Sequence, residues 1–196
     1  MDSRFHQTIA EIDQINVQDP NLKTVDGKQI PKELLYSQRM TEVLAQFCPE
    51  ASETLQIAAR AQHIKRWSIP RETYSMDRKG YLQWRTQLKI FHAELAAGIL
   101  KKFGYDAGDI QKVEDLINKK RLKTDPEVQT LEDVICIVFL RYYFDDFIAK
   151  HANEEEKIID IVQKIWKKMS EKGHEAALAM PHSEKALSLV TKALKS

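Results

Sequence analysis

Three polar residues stand where helical periodicity asks for apolar ones. Leu55, Ala59 and His63 follow one another at four-residue steps. Leu88, His92, Leu95 and Ile99 form a second face, and Asp133 is in line with Ile137, Leu140 and Phe144. A buried imidazole or carboxylate is costly without a partner, so each of these groups should meet one. Two histidines and an aspartate from three helices could hold a divalent metal such as Mn, Fe, Zn or Mg. The plainer alternative is that each is a satisfied core residue, for example in a hydrogen-bonded His–Asp pair. Two carboxylates lie close by in sequence and are candidates for a catalytic role. Glu132 adjoins Asp133, whereas Glu94 is two positions from His92, about 200° around the helix, and cannot easily share a metal with it.

Cations and aromatics cluster after His63. Arg66, Trp67 and Arg71 follow it, then Tyr74, Tyr81, Trp84 and Arg85. Arginine makes planar two-point contacts to phosphate or carboxylate, and an aromatic ring could stack on a base. Ordinary packing of amphipathic side chains in a loop would leave the same pattern. Lys119, Lys120, Arg121 and Lys123 precede a helix start, where an anion is favoured, although solvated helix ends share that composition. Lys168-Met169-Ser170-Glu171-Lys172 is similar to the lysine-methionine-serine loop of class I aminoacyl-tRNA synthetases. The Rossmann-type pattern and the His-x-Gly-His motif that such enzymes need are missing, so we read the segment as a helix end. The sequence also lacks a glycine-rich phosphate loop, a Cys-x-x-Cys pair and a His-Glu-x-x-His motif.

The elements that must position these residues read as helices. Phe5, Ile9, Ile12 and Ile15 form a stripe, and residues 17–30, with Asp19-Pro20-Asn21 and Asp26-Gly27, read as an ordered loop. Pro31 suits the first turn of a helix to about Phe47. Ser52 caps a helix to about Lys65, and residues 66–76 form a loop. Asp77 caps a long helix ending near Gly104, and another spans about 109–120. Thr124 or Asp125, with Pro126 behind it, starts a helix to about Lys150. Helices over 154–170, ended by Gly173, and over 183–195 complete the set. The expectation is one all-α domain of about eight helices over residues 1–196.

The chain has 196 residues, 43% hydrophobic and 30% charged, which supports a core and a solvated surface. A net charge of +1 gives no global field toward nucleic acid or anionic lipid, so an anion site must be local. Cys48 and Cys136 are too few for a disulfide scaffold and read as reduced thiols in a cytoplasmic setting. Residues 1–16 carry Asp2, Glu11 and Asp13 and do not read as a signal peptide. The apolar run over 134–144 is interrupted by Arg141 and is too short to span a bilayer. The expected partner is a small phosphorylated or anionic ligand rather than nucleic acid or membrane.

Several stretches resemble one family over nearly the whole chain. They are Pro31-Lys-Glu-Leu-Leu-Tyr-Ser-Gln-Arg-Met40, Ala58-Ala-Arg-Ala-Gln-His-Ile-Lys-Arg-Trp67, Phe91-His-Ala-Glu94, Arg121-Leu-Lys-Thr-Asp-Pro-Glu127 and Leu131-Glu-Asp-Val134. The family is domain-of-unknown-function family 4202, which brings no reaction with it. Some members are labelled glutamyl-tRNA synthetase, against the missing motifs. More remotely, the order of elements resembles the HD superfamily of metal-dependent phosphohydrolases. Ser37-x-Arg39-Met40 stands where a first His-x-x-Arg-Val would stand, and the His-Asp pair reads Gln62-His63. His92-Ala-Glu94 fits an extra His, Lys119-Lys120 fall where another often sits, and Leu131-Glu-Asp133 matches the final Asp.

That resemblance implies an HD-like domain in which His63, His92 and Asp133 bind a metal, with Glu132 or Glu94 behind them. The metal would supply hydroxide, and Arg66, Arg71, Lys119 and Lys120 would neutralise a phosphate. A metal-free module that binds a nucleotide or small anion without turnover is the alternative. A third role, docking of a partner on the last helix, has no feature that demands it.

Overall fold

A computed structural model describes residues 3–195. Met1 and Asp2, part of the segment read as lacking a signal peptide, lie outside the described residues, as does Ser196. The chain forms two compact units, Met1–Leu122 and Lys123–Ser196. Both are helical, and a single hairpin is the only sheet among the described residues. Ten α-helices are present among those residues rather than about eight.

Unit 1 contains α1 (Arg4–Asn16), β1 (Leu22–Val25), β2 (Lys28–Pro31), α2 (Lys32–Phe47), α3 (Glu53–Ala61), α4 (Arg78–Lys102) and α5 (Ala107–Ile117). Side-chain caps start α3, α4 and α5: Ser52 accepts from the Leu55 N–H, Asp77 from Gly80 and Asp106 from Asp109. Each such cap stabilises by about 1 kcal/mol. Ile12, Met40, Leu44, Leu55, Ile57, Leu100, Leu116 and Ile117 are fully buried and form its core. Arg60 of α3 crosses that core to Asp13 of α1, with two bonds of 2.7 and 2.6 Å, and reaches Thr41 of α2 at 3.1 Å. The fork ties three helices together, and its two-point geometry is the arrangement in which a sequestered ion pair holds position best.

Two expectations change here. Residues 17–30 hold a hairpin, with Leu22 opposite Pro31 and Val25 opposite Lys28. Asp26 and Gly27 both have positive φ, 49° and 75°, the geometry of a tight two-residue hairpin turn. Helix α3 stops at Ala61, four residues short of Lys65. Lys65 takes a left-handed φ of 53°, and its N–H donates to Asn16 Oδ1 at 3.0 Å. His63 therefore lies in a turn after α3 rather than on the helix.

Unit 2 contains α6 (Pro126–Tyr142), α7 (Phe144–Lys150), α8 (Glu155–Trp166), α9 (Glu171–Ala179) and α10 (Glu184–Lys195). The helix expected to reach Lys150 breaks at Tyr143. Positions 139 and 144 would point about 140° apart on a straight helix. The break lets the Phe139 and Phe144 rings meet at 5.8 Å, with Phe144 buried. Gly173, expected to end a helix, lies inside α9, which Ser170 caps. A Cβ at Gly173 would fall 2.6 Å from Asp133 Oδ1, so the position needs a residue without one.

Cys136 is buried and Cys48 half-buried, and neither forms a disulfide. No helix among the described residues is long and apolar enough to cross a membrane.

Candidate functional site

The polar residues of unit 1 meet where the start of α2, the turn after α3 and the middle of α4 converge. Pro31 offers α2 no side-chain cap, and buried Asp19 takes that role. Its carboxylate accepts from the Glu33 N–H at 3.0 Å and from the Asn21 N–H and amide at 2.9 Å. This fixes the first turn of α2 and with it the Glu33 side chain. Glu33 Oε2 lies 3.3 Å from His63 Nδ1, and Oε1 lies 3.7 Å from Arg66 Nη1. The His63 ring stacks on Tyr36, centroids 3.9 Å apart and planes 12° apart, with 22% of the side chain exposed.

His92 enters from α4, its ring centroid 6.0 Å from that of His63. Its Nδ1 is 2.8 Å from the Ile64 carbonyl oxygen. A carbonyl only accepts, so the Nδ1 carries the proton and the neutral ring keeps a lone pair on Nε2. That Nε2 is buried and has no hydrogen-bond partner. Native interiors rarely leave such an atom unanswered. The Arg66 guanidinium lies over the Trp84 ring at 4.8 Å, and Trp84 is itself pinned by its Nε1–H donating to Ile69 O at 2.9 Å.

Electrostatics follow from burial and these neighbours. Burial, then His63 and Arg66, pull the His92 pKa down to about 3 against the pull of Ile64 O and Glu33. Burial also lowers the His63 pKa well below its usual value, and the charges of Arg66, Arg85 and Lys119 lower it further. Both imidazoles are therefore neutral at neutral pH. The Glu33 carboxyl is pushed up by burial, more than Arg66, His92 and Lys32 pull it down. The charges of Arg66, Arg85, Lys119 and Lys32 thus act on two neutral rings and the Glu33 carboxyl, an arrangement that can hold an anion.

The residues singled out in the sequence divide between the units. His63, His92, Arg66 and Lys119 belong to this cluster. Trp67 is half-buried on the turn beside Arg66, and Glu94 is exposed on α4. Arg71 donates to the Tyr74, Ser75 and Asp77 carbonyls and so clasps its own loop. Lys120 and Arg121 pair with Asp115 at 2.9 and 3.4 Å. The remaining three lie in unit 2. Lys123 donates to the carbonyls of Lys168 and Met169 at the end of α8. Glu132 is buried, 3.8 Å from Lys168 Nζ. Asp133 accepts from the Ser170 N–H at 2.8 Å, the Ser170 hydroxyl at 2.6 Å and the Gln129 amide at 3.1 Å. Among the described residues, no group of three or more His, Cys, Asp or Glu is placed to hold a metal ion.

Glu33 and Tyr36 were not picked out as site residues from the sequence, and Arg85 was read only as part of the cation and aromatic cluster after His63. An acid in the first turn of a helix reads as a partner of the helix dipole, which hid Glu33. The stretch from Pro31 to Met40 that resembled the family did contain Glu33 and Tyr36, and was the available signal. Helices carrying a buried histidine-rich cluster are compatible with many chemistries, so the fold defines only a helical protein with a polar site. Residues 6–190 match the model of the family described as a domain of unknown function (DUF4202), and the chain belongs to that family. No curated protein and no solved structure matches the chain.

Proposed function

We propose that the cluster around Glu33, His63 and Arg66 binds a small phosphorylated or otherwise anionic ligand without turning it over, on a degenerate HD-like scaffold. One observation carries the reading: the part-exposed His63 ring and the Arg66 guanidinium meet at Glu33, 3.3 and 3.7 Å away, and the charges of Arg85 and Lys119 also act on that ring. Such a field favours an anion, and Arg66 can meet it with paired N–H donors. Support for the scaffold is the order of Ser37, Gln62-His63, His92 and Asp133 along the chain. Two cysteines outside any disulfide accord with a reducing, cytoplasmic setting.

The test is calorimetric titration of the full chain with inorganic phosphate, pyrophosphate and AMP. Saturable binding is expected, and Arg66→Ala or Arg85→Ala should weaken it about tenfold, equivalent to about 1.4 kcal/mol. No binding of any of the three at millimolar concentration would overturn the reading.

A second reading, metal-assisted phosphoester hydrolysis, is favoured by the buried lone pair on His92 Nε2. An imidazole whose Nδ1–H is held by a carbonyl is the usual form of a metal-binding histidine. The donor set fits only in part, because both Asp133 oxygens already accept hydrogen bonds. His63 and His92 would be the ligands left to hold the ion, which would supply a bound hydroxide, although no third His, Cys, Asp or Glu joins them among the described residues. Elemental analysis of protein purified without chelator tests it. About one equivalent of Mn, Fe or Zn, lost in His92→Gln, is expected under this reading, and a metal-free protein after incubation with each ion would overturn it.

A further inference from the structure

The loop before α4 and the first half of that helix present a face that the anion cluster does not use. Met76 is 77% exposed, Leu82 54% and Ile90 40%. The loop that carries Met76 is braced. Arg71 donates to the Tyr74, Ser75 and Asp77 carbonyls, and a Cβ at Gly80 would fall 2.1 Å from Ser75 O, so the loop is pressed onto the helix. A side chain on such a support can be covered with little loss of chain entropy. At about 100° per residue, Arg78, Leu82 and Lys89 fall within about 40° of one another, and Lys79 and Ile90 within about a further 80°. Gly80, Trp84 and Leu88 take the opposite side and are buried. Residues 78–90 therefore carry a mixed basic and apolar strip about 18 Å long on their outer face.

The charge of this strip has one sign. Residues 78–93 include Arg78, Lys79, Arg85 and Lys89 and no Asp or Glu, against a net charge of +1 for the whole chain. Arg78 and Lys79 are exposed and Lys89 is half-buried, and among the described residues none of these three side chains has an ion-pair or hydrogen-bond partner. The neighbouring Asp77 carboxylate is engaged by the Gly80 N–H at 2.7 Å and the Ser75 hydroxyl at 2.9 Å. Arg78 and Lys79 stand in the first turn of α4, where a cation opposes the helix dipole, so their charge does not serve stability.

These features select the occupant. A second copy docked by symmetry on the same face would set cation against cation. A nucleic acid would answer the cations but not Met76, Leu82 and Ile90, and the Tyr81 ring, on which a base would stack, already meets Trp84 at 6.0 Å and the Arg71 guanidinium at 5.9 Å. A helix lying in a bilayer surface separates its apolar and charged sides, whereas Leu82 lies in line with Arg78 and Lys89. An amphipathic helix with acidic flanks supplies carboxylates and apolar side chains together. We infer that Met76 and the outer face of residues 78–90 dock an acidic amphipathic helix of a protein partner. Its carboxylates pair with Arg78, Lys79 and Lys89, and its apolar side chains cover Met76, Leu82 and Ile90. None of these residues belongs to the Glu33, His63 and Arg66 cluster, so phosphate binding there should survive the loss of this surface.

Fluorescence anisotropy on the full chain tests the docking. The probe is a labelled, end-capped peptide of about 16 residues, long enough as a helix to span the strip. It is built of leucine, glutamate and alanine, with leucine at positions i, i+4, i+7 and i+11 and glutamate on both flanks. Saturable binding with a Kd of about 1 to 100 μM is expected. The double variant Arg78→Glu, Lys89→Glu and the single variant Leu82→Ser should each weaken it at least about tenfold, and so should glutamine for glutamate in the peptide. Arg78→Glu alone should keep or raise the melting temperature, which separates lost docking from lost folding. No saturable binding at about 200 μM peptide overturns the inference, being weaker than the range expected. Binding that Leu82→Ser leaves unchanged also overturns it, because the face is then a patch of charge only. Tighter binding of oligouridine of the same length, or of phosphatidylcholine–phosphatidylserine vesicles, assigns the face to nucleic acid or membrane with the same result. So does a chain that sediments as a dimer until Leu82→Ser is introduced, which assigns the face to a second copy.

Discussion

Asp133 in unit 2 and the His63–His92 pair in unit 1 look alike in the hydrophobic pattern, each a polar group on an apolar face. Their surroundings differ. Both Asp133 oxygens are occupied by donors from Gln129 and Ser170, and Gly173 leaves room for the carboxylate. His92 keeps a buried nitrogen without a partner, and His63 is a neutral ring among cations with one edge toward solvent. A completed set of hydrogen bonds holds helices together. An incomplete set in a charged environment is where a ligand gains most, because it supplies the missing partner.

The largest test of this contrast is Asp133→Ala. It strands the Ser170 N–H and hydroxyl and removes the anchor of the α9 cap, so unit 2 should lose about 3 kcal/mol. Scanning calorimetry would measure the loss, and hydrogen exchange should show α9 opening first. A loss below about 1 kcal/mol would mean that the bonds to Asp133 do little to hold α9.

Acid should act on the other site. His92 has a folded pKa of about 3 against 6.5 for the free side chain, so the unfolded state binds more protons between those values. Stability from the neutral ring is fully present above about pH 6.5 and is lost as the pH falls toward 3. At pH 5 the loss should be about 2 kcal/mol relative to pH 7 for this histidine, and His63 acts in the same direction. Glu33 works the other way. Its raised pKa contributes stability below about 4.5 that is lost as the pH rises through its folded value. Urea melts of the parent and His92→Gln across this range check the sign: the slope should flatten in the variant.

Gly173→Ala should cost about 1.5 kcal/mol, because its Cβ would collide with a carboxylate that cannot retreat without losing its donors. Gly98→Ala on α4, where a Cβ meets nothing within 4 Å, should instead be neutral or slightly stabilising. The smallest effect on stability is expected for His63→Gln, under about 1 kcal/mol. If His63→Gln destabilised as strongly as Asp133→Ala, the two sites would be equivalent after all.

Local signals in the sequence located much of the frame. Ser52, Asp77 and Asp125 cap helices where the sequence places caps, and Gly104 takes the positive φ of a helix stop. The same local reasoning placed the turn at Asp26-Gly27 but missed its strands, because four-residue segments show too little alternation. It missed α9 because Gly173 looks like a breaker until the Asp133 carboxylate beside it is known. Burial of His92 and Asp133 was legible from four-residue spacing. The partners were not, since Ser170 is 37 residues from Asp133 and periodicity carries no information about such pairs. The role of Glu33 was hidden in the same way, by its dependence on the turn that carries His63.

The Arg66–Trp84 stack gives the site an optical consequence. An indole with a cation 4.8 Å above its face emits at a wavelength set partly by that charge. A ligand that draws the guanidinium aside or neutralises it must shift the emission of Trp84. In unit 2, Trp166 stacks on His174 with centroids 4.2 Å apart and planes parallel to 1°, away from that charged cluster. With Trp67 replaced by Phe, each unit carries one tryptophan, and the response of Trp84 to charge at the site needs no label.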